Sequence, residues 1–172
     1  MRIIIIIITA LISLAAVGQD KSIPTDTLRI SGQIKNELIF TLHDLDTFPT
    51  KTISDVIITN HLGETKKTAK QLKGFLLKKL LEKVDLQTSA PKELNEFYFI
   101  FIASDGYKVV FSWNEIFNTA TGNSFYLITE QDGKKIKESD ERILIVSATD
   151  FKTGRRYIKG LQKIIIKRVG IN

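Results

Sequence analysis

"EFYFIFIASDGYKVVFSW", residues 96–113, decides the fold class. Two apolar runs, rich in aromatic and β-branched side chains, flank Asp105-Gly106. That dipeptide tolerates positive φ and closes tight hairpins, so the stretch predicts two antiparallel strands joined by a short turn. The turn also accounts for Asp105 without a catalytic role. Ser112 stands three residues before Glu115 at the end of the stretch, the spacing of a capping box, and predicts a short helix over "WNEIF". Trp113 reads as a core or rim anchor.

The same grain continues in both directions. "TLRISGQI" (27–34) and "ELIFTL" (37–42) predict a hairpin across Gly32 and Asn36, and "HDLDTFP" (43–49) a brief helical turn stopped at Pro49, with Asp44 and Asp46 as capping groups. "KTISDVIITN" (51–60) reads as one strand. In "KQLKGFLLKKLLEKV" (70–84), Leu72, Phe75, Leu76, Leu80 and Val84 recur at helical spacing, Leu77 and Leu81 widen the stripe, and lysines fill the other face. This predicts the main amphipathic helix. Gly74 costs about 1 kcal/mol against alanine inside a helix, so the helix is expected to begin near it. "SFYLITEQDGKKI" (124–136) carries a second Asp-Gly turn at Asp132-Gly133, "RILIVSA" (142–148) reads as a buried strand, and "LQKIIIKRV" (161–169) as the closing one. The expected fold is α+β, mostly β: short strands and one main amphipathic helix, with no internal repeat.

The chain has 172 residues and a formal net charge of +6. Residues 1–18 read as a signal peptide: Arg2 begins it, Ile3 to Val17 is apolar apart from Thr9 and Ser13, and Ala16 and Gly18 place small side chains at the expected cleavage site. The run is shorter than the ~20 apolar residues of a membrane span, so export to the periplasm or beyond, without a stable anchor, is expected. Residues 19–27 read as a short polar leader, and 28–172 as one domain. There is no cysteine. Disulfides and every thiolate chemistry, nucleophile or metal ligand, are thereby excluded.

His43 and His61 lack metal-ligand spacing, and no Ser–His–Asp set can be assembled from the pattern. The tail is basic: Lys152, Arg155, Arg156, Lys159, Lys163, Lys167 and Arg168 face only Asp150. Its aromatics are not interleaved as nucleic-acid binding would want, so nucleic acid is not an expected partner. Within "TGRRYIKGLQKI" (153–164), Gly154 can turn the backbone so that successive N–H groups face one side. If 155–159 form a helical turn, Arg156 and Lys159 share a face and suit a phosphate or sulfate, with Arg155 a weaker candidate. The bland alternative is a solvated strand end.

The order of these motifs resembles the oxidoreductase molybdopterin-binding domain of the sulfite-oxidase type, and its small exported single-domain branch in particular. The likeness runs from about Leu28 to Val169. Gly74, Leu77, Leu80 and Leu81 match the family's "G.pL..LL" pattern, Asp105, Gly106 and Tyr107 its D-G-Y hairpin, and Gly154, Arg156, Ile158 and Lys159 its "G-x-R-x-V-K" stretch. The resemblance implies that catalytic members hold molybdenum through a cysteine in the region matching Val56 to Leu62. Here that region reads "VIITNHL". It further implies that Arg156 and Lys159 lie near the cofactor and a substrate anion. The expectation is therefore a non-catalytic binder of a pterin-like or other anionic small molecule, molybdopterin among them. The alternatives are a scaffold for a protein or membrane-complex partner with its pocket filled, and an active molybdenum oxidoreductase using His61 or Asn60 in place of the cysteine.

Overall fold

A computed structural model describes residues 23–170, so the expected signal peptide and the first part of the leader lie outside the described residues. In chain order run β1 (Thr27–Gly32), β2 (Leu38–Thr41), α1 (Leu42–Asp46), β3 (Lys51–Ile53), β4 (Val56–Thr59), β5 (Thr65–Ala69), β6 (Leu72–Leu76), α2 (Leu77–Leu81), β7 (Phe97–Ala103), β8 (Lys108–Ser112), α3 (Trp113–Phe117), β9 (Phe125–Gln131), β10 (Lys134–Lys135), β11 (Leu144–Ser147) and β12 (Leu161–Arg168). A 3-10 turn spans Thr153–Arg156. The architecture is mostly-β α+β, as the sequence implies.

The strands form three layers. One sheet has the order β2-β1-β12-β7-β8; a second runs β10-β9-β6-β3, with β11 also on β9; β4 and β5 make a separate hairpin. In the first sheet β7 alternates strictly: Phe97, Phe99, Phe101 and Ala103 are buried, and the residues between them are half-buried. These side chains join Leu28, Ile30, Phe111, Ile164 and Ile166 in a core shared with Phe75, Phe125, Leu127 and Ile145 of the second sheet. The second sheet's other face carries Leu72, Tyr126, Ile128, Leu144 and Val146, covered by Val56, Ile58 and Ala69 of the β4–β5 hairpin. Its central strands are thus buried on both faces, which is why "FYLIT" and "LIVS" read as continuous apolar runs. Near-complete burial of each large apolar side chain contributes on the order of 1.5–3 kcal/mol.

The capping predictions hold for Ser112 with Glu115 and for Asp44; Asp46, the last residue of α1, caps nothing among the described residues. Ser112 and Glu115 form a capping box on α3, and Thr41 and Asp44 form one on α1. The hairpins at Asp105-Gly106 and Asp132-Gly133 pair as expected. The main helix does not. It covers only Leu77–Leu81; Leu72–Leu76 is strand, paired to β3 on one side and β9 on the other. A Cβ on Gly74 would lie 2.2 Å from the Leu127 carbonyl oxygen, so the glycine serves close strand approach at a register shift. Tertiary pairing overrides the helical period here. "KTISDVIITN" divides into β3 and β4, which join different sheets. The leader docks from its last residues: the Thr25 hydroxyl donates to the Leu161 carbonyl at 3.0 Å, and Asp26 pairs with Arg142.

Candidate functional site

The basic stretch meets the β4–β5 hairpin at a cleft of about 600 Å³. Thr153, buried, stitches the two together. Its hydroxyl donates to the Ile57 carbonyl at 2.6 Å and accepts from the Thr59 N–H at 3.1 Å. Gly154 follows because only a residue without a side chain fits: a Cβ there would sit 1.9 Å from the Thr59 carbonyl oxygen. Its N–H points to the Thr59 hydroxyl at 3.5 Å. Gly154 could have turned successive N–H groups to one side; here it serves a close backbone crossing. Arg155 then reaches the His61 carbonyl at 3.3 Å, while its own carbonyl accepts from the Tyr107 hydroxyl at 2.6 Å. Tyr107 leaves the Asp105-Gly106 turn, so the D-G-Y hairpin props the loop that carries the cations.

Four cations line this cleft: Lys66 and Lys67 from β5, Arg155 and Lys159. His61 joins them at the rim. One carboxylate, Glu141, stands against the four. It pairs with Lys159 and lies 3.5 Å from Lys67. Burial pushes the Glu141 carboxyl up, but the hydrogen bond and charge of Lys159, the charge of Lys67 and the Tyr157 hydroxyl outweigh it and hold it below its ordinary value. The Tyr157 hydroxyl is driven well above its ordinary value, first by burial and then by the adjacent Glu141 charge. Its ring is the cleft's apolar wall, with the Lys67 and Lys159 ammonium groups 5.2 and 5.7 Å from the centroid. The cleft keeps an excess of positive charge: Lys67 and Lys159 are anchored by the Tyr157 ring and Glu141, while Lys66 and Arg155 have no carboxylate partner among the described residues.

Arg156 faces elsewhere. The 3-10 turn ends at it and the chain extends through Tyr157, so the helical turn over 155–159 that would have put Arg156 and Lys159 on one face does not form. Its guanidinium grips Asp150 through Nε and Nη2, each at 2.5 Å, reaches Glu115 at 2.9 Å, and lies 4.6 Å from the Phe111 ring centroid. Two carboxylates occupy its fork. Glu115 serves twice: one oxygen caps α3, the other takes Arg156.

The candidates for a replaced metal ligand fare differently. The Asn60 side-chain oxygen accepts from the N–H groups of Leu62, Gly63 and Glu64, and its amide donates to Glu64 at 2.7 Å, so Asn60 builds the β4–β5 turn. His61 stands at the cleft rim, and His43, on α1, does not line the cleft. Among the described residues no group of three or more His, Asp or Glu side chains is placed to hold a metal ion. No helix among them is long and apolar enough to cross a membrane. Trp113 stacks on Phe117 at 5.1 Å against the main core, an anchor as expected. Sequence reasoning missed Lys66, Lys67, Thr153 and Glu141. The first two lie in "TKKTA", whose near-total exposure leaves no apolar pattern to mark a strand.

No family model matches the chain, and no curated protein matches its sequence. A solved structure does: the sulfane dehydrogenase SoxCD of Paracoccus pantotrophus superposes with a TM-score of 0.58 at 18% identity, over 83% of this chain and 39% of that one. The chain spans well under half of that protein. The likeness shows a shared fold, and the fold alone.

Proposed function

We propose that this domain is a binding module that holds an anionic small molecule, a phosphate-bearing pterin or a ligand of similar charge, in the cleft between the β4–β5 hairpin and residues 154–159. One observation carries the reading: four cations converge on a cleft with a single balancing carboxylate. Its volume of about 600 Å³ lies within the ~300–1,000 Å³ of small-molecule sites. Arg155 and Lys159 are the anion contacts, with Lys66 and Lys67 opposite. Arg156, held by two carboxylates, positions the loop that presents Arg155.

The cleft also lies where the resemblance puts a cofactor, since Ile58, Thr59, Asn60 and His61 line it from the segment matching the family's cysteine region. The donor set fits the phosphate of a molybdopterin and not its metal. Lysine and arginine suit phosphate oxygens, whereas a soft metal–sulfur bond needs a thiolate that the sequence lacks. The scaffold reading wants a filled pocket, and the open cleft favours a ligand.

Calorimetry with inorganic phosphate, sulfate and molybdopterin tests this. At least one should bind, and Lys159→Ala and Arg155→Ala should each weaken it by about tenfold or more, the loss of a charge-assisted contact. Flat traces for all three, or unchanged affinity in both variants, would end the reading. Stoichiometric molybdenum and oxo-transfer turnover in protein from a host that makes the cofactor would end it too, in favour of the oxidoreductase.

A further inference from the structure

Beside the cleft, two loops meet at a tip whose exposure is not explained by anything it packs on. Phe151 is fully exposed, at 101%, and Leu62 is 63% exposed. A phenylalanine ring left wholly in water gains by leaving it wherever a surface receives it. The two residues belong to one surface. A side chain on Gly63 would meet the Lys152 methylenes at 3.7 Å, and the Arg155 guanidinium reaches the His61 carbonyl. Each apolar group therefore flanks a contact between the two loops.

The charges around the tip have one dominant sign. Lys66, Lys152 and Arg155 are exposed and, among the described residues, have no carboxylate within ion-pair distance. Of the nearby acids, Asp150 is paired with Arg156 and also accepts from the Ser147 hydroxyl, while Glu64 accepts only from the neutral Asn60 amide and keeps its charge, one acid against three bases.

We propose that this tip, Leu62 and Phe151 with Lys66, Lys152 and Arg155 around them, seats the domain on an anionic phospholipid surface. The juxtaposition suits a bilayer interface in two ways. Single apolar side chains at the ends of loops can enter the acyl boundary without a shaped pocket, which a protein partner would have to supply. Lysine and arginine beside them can stay at headgroup level, each adding attraction to an anionic leaflet. The proposal goes beyond the anion cleft, with which it shares Lys66 and Arg155, and does not need a small molecule bound there.

The absence of cysteine makes a local test clean, because one introduced thiol is unique. Phe151→Cys, Leu62→Cys and, as a reference, Lys92→Cys in the 3-10 turn before β7 are each labelled in the full chain with a nitrobenzoxadiazole probe. They are mixed with vesicles of phosphatidylcholine alone, or of phosphatidylcholine and phosphatidylglycerol in equal parts. The probe at 151 and at 62 should shift to the blue and brighten several-fold on the anionic vesicles, lose the response at high salt, and stay dark at 92. Reversing two charges in the labelled background, Lys66→Glu with Lys152→Glu, should weaken the partition by at least about thirtyfold. A response at all three sites, an equal response on neutral vesicles, or partition indifferent to the charge reversal would overturn the proposal. So would silence at both tip sites, the result expected if the patch serves a folded protein partner. Phosphate binding by Leu62→Cys and Phe151→Cys, read by calorimetry, should match the parent, so failure here is distinguishable from failure of the cleft.

Discussion

Arg156→Ala separates a positioning role from a ligand contact. The residue makes two 2.5 Å hydrogen bonds to Asp150, one of 2.9 Å to Glu115, and a contact with the Phe111 ring. The Asp150 side chain is 10% exposed and that of Arg156 22%, so the pair is only partly screened. Breaking a fully buried pair costs about 3–5 kcal/mol, and exposed pairs contribute about 0–1 kcal/mol. Asp150 would keep the Ser147 hydroxyl at 2.7 Å, which lessens its loss. Interpolating, the variant should lose about 2–3 kcal/mol. At ~2–4 °C per kcal/mol for a domain of this size, Tm should fall by about 4–12 °C. Denaturant unfolding and calorimetric melting measure this, and Asp150→Asn should be non-additive with it in a double-mutant cycle. Anion affinity should fall only slightly. A variant as stable as the parent within about 0.5 kcal/mol, yet unable to bind phosphate or pterin, would refute the argument and return Arg156 to the ligand site.

Two further outcomes follow from the same geometry. Gly154→Ala puts a Cβ 1.9 Å from the Thr59 carbonyl oxygen, which is backbone and cannot rotate away; the variant should lose about 1–3 kcal/mol in denaturant unfolding and bind anions more weakly as Arg155 leaves His61. The Glu93 carboxyl is held down to about 2 by the Ser89 N–H, then by the Thr88 hydroxyl and the nearby Arg168. Its folded value lies below its unfolded one, so its contribution is complete above the ordinary carboxylate range and is lost as pH falls toward 2; Glu93→Gln should show a flatter acid limb in stability against pH than the parent.

The strands were legible where one face of a sheet alone is deeply buried, or where a turn fixes register. β7 shows strict alternation because only one of its faces meets the main core. β6 could not be recognised by the same signal. It lies between two cores: Phe75 points into the one between the sheets, while Leu72 and Leu76 point under the β4–β5 hairpin. Apolar residues on both faces, with a register shift at Gly74, reproduce the spacing of a helical stripe that runs on into the real helix at Leu77, Leu80 and Leu81. Periodicity cannot divide such a stretch, because both elements supply leucines to the same interior. The parallel pairing of β1 with β12, which closes the first sheet across nearly the whole chain, has no local signature either.

The cleft was half legible for a related reason. A cluster of arginines and lysines marks a candidate anion site but does not say which cations will be claimed by carboxylates when the chain folds. Asp150, six residues before Arg156, was the visible local competitor. Glu115, 41 residues before it, was hidden behind its capping role. Lys159 is paired with Glu141, yet that carboxylate also holds Lys67, so one acid orders two cations across the cleft without balancing both. The positive charge left over comes from pairing four bases on two chain segments with one acid. Neither segment contains that balance alone; the crossing at Gly154 and Thr59 creates it.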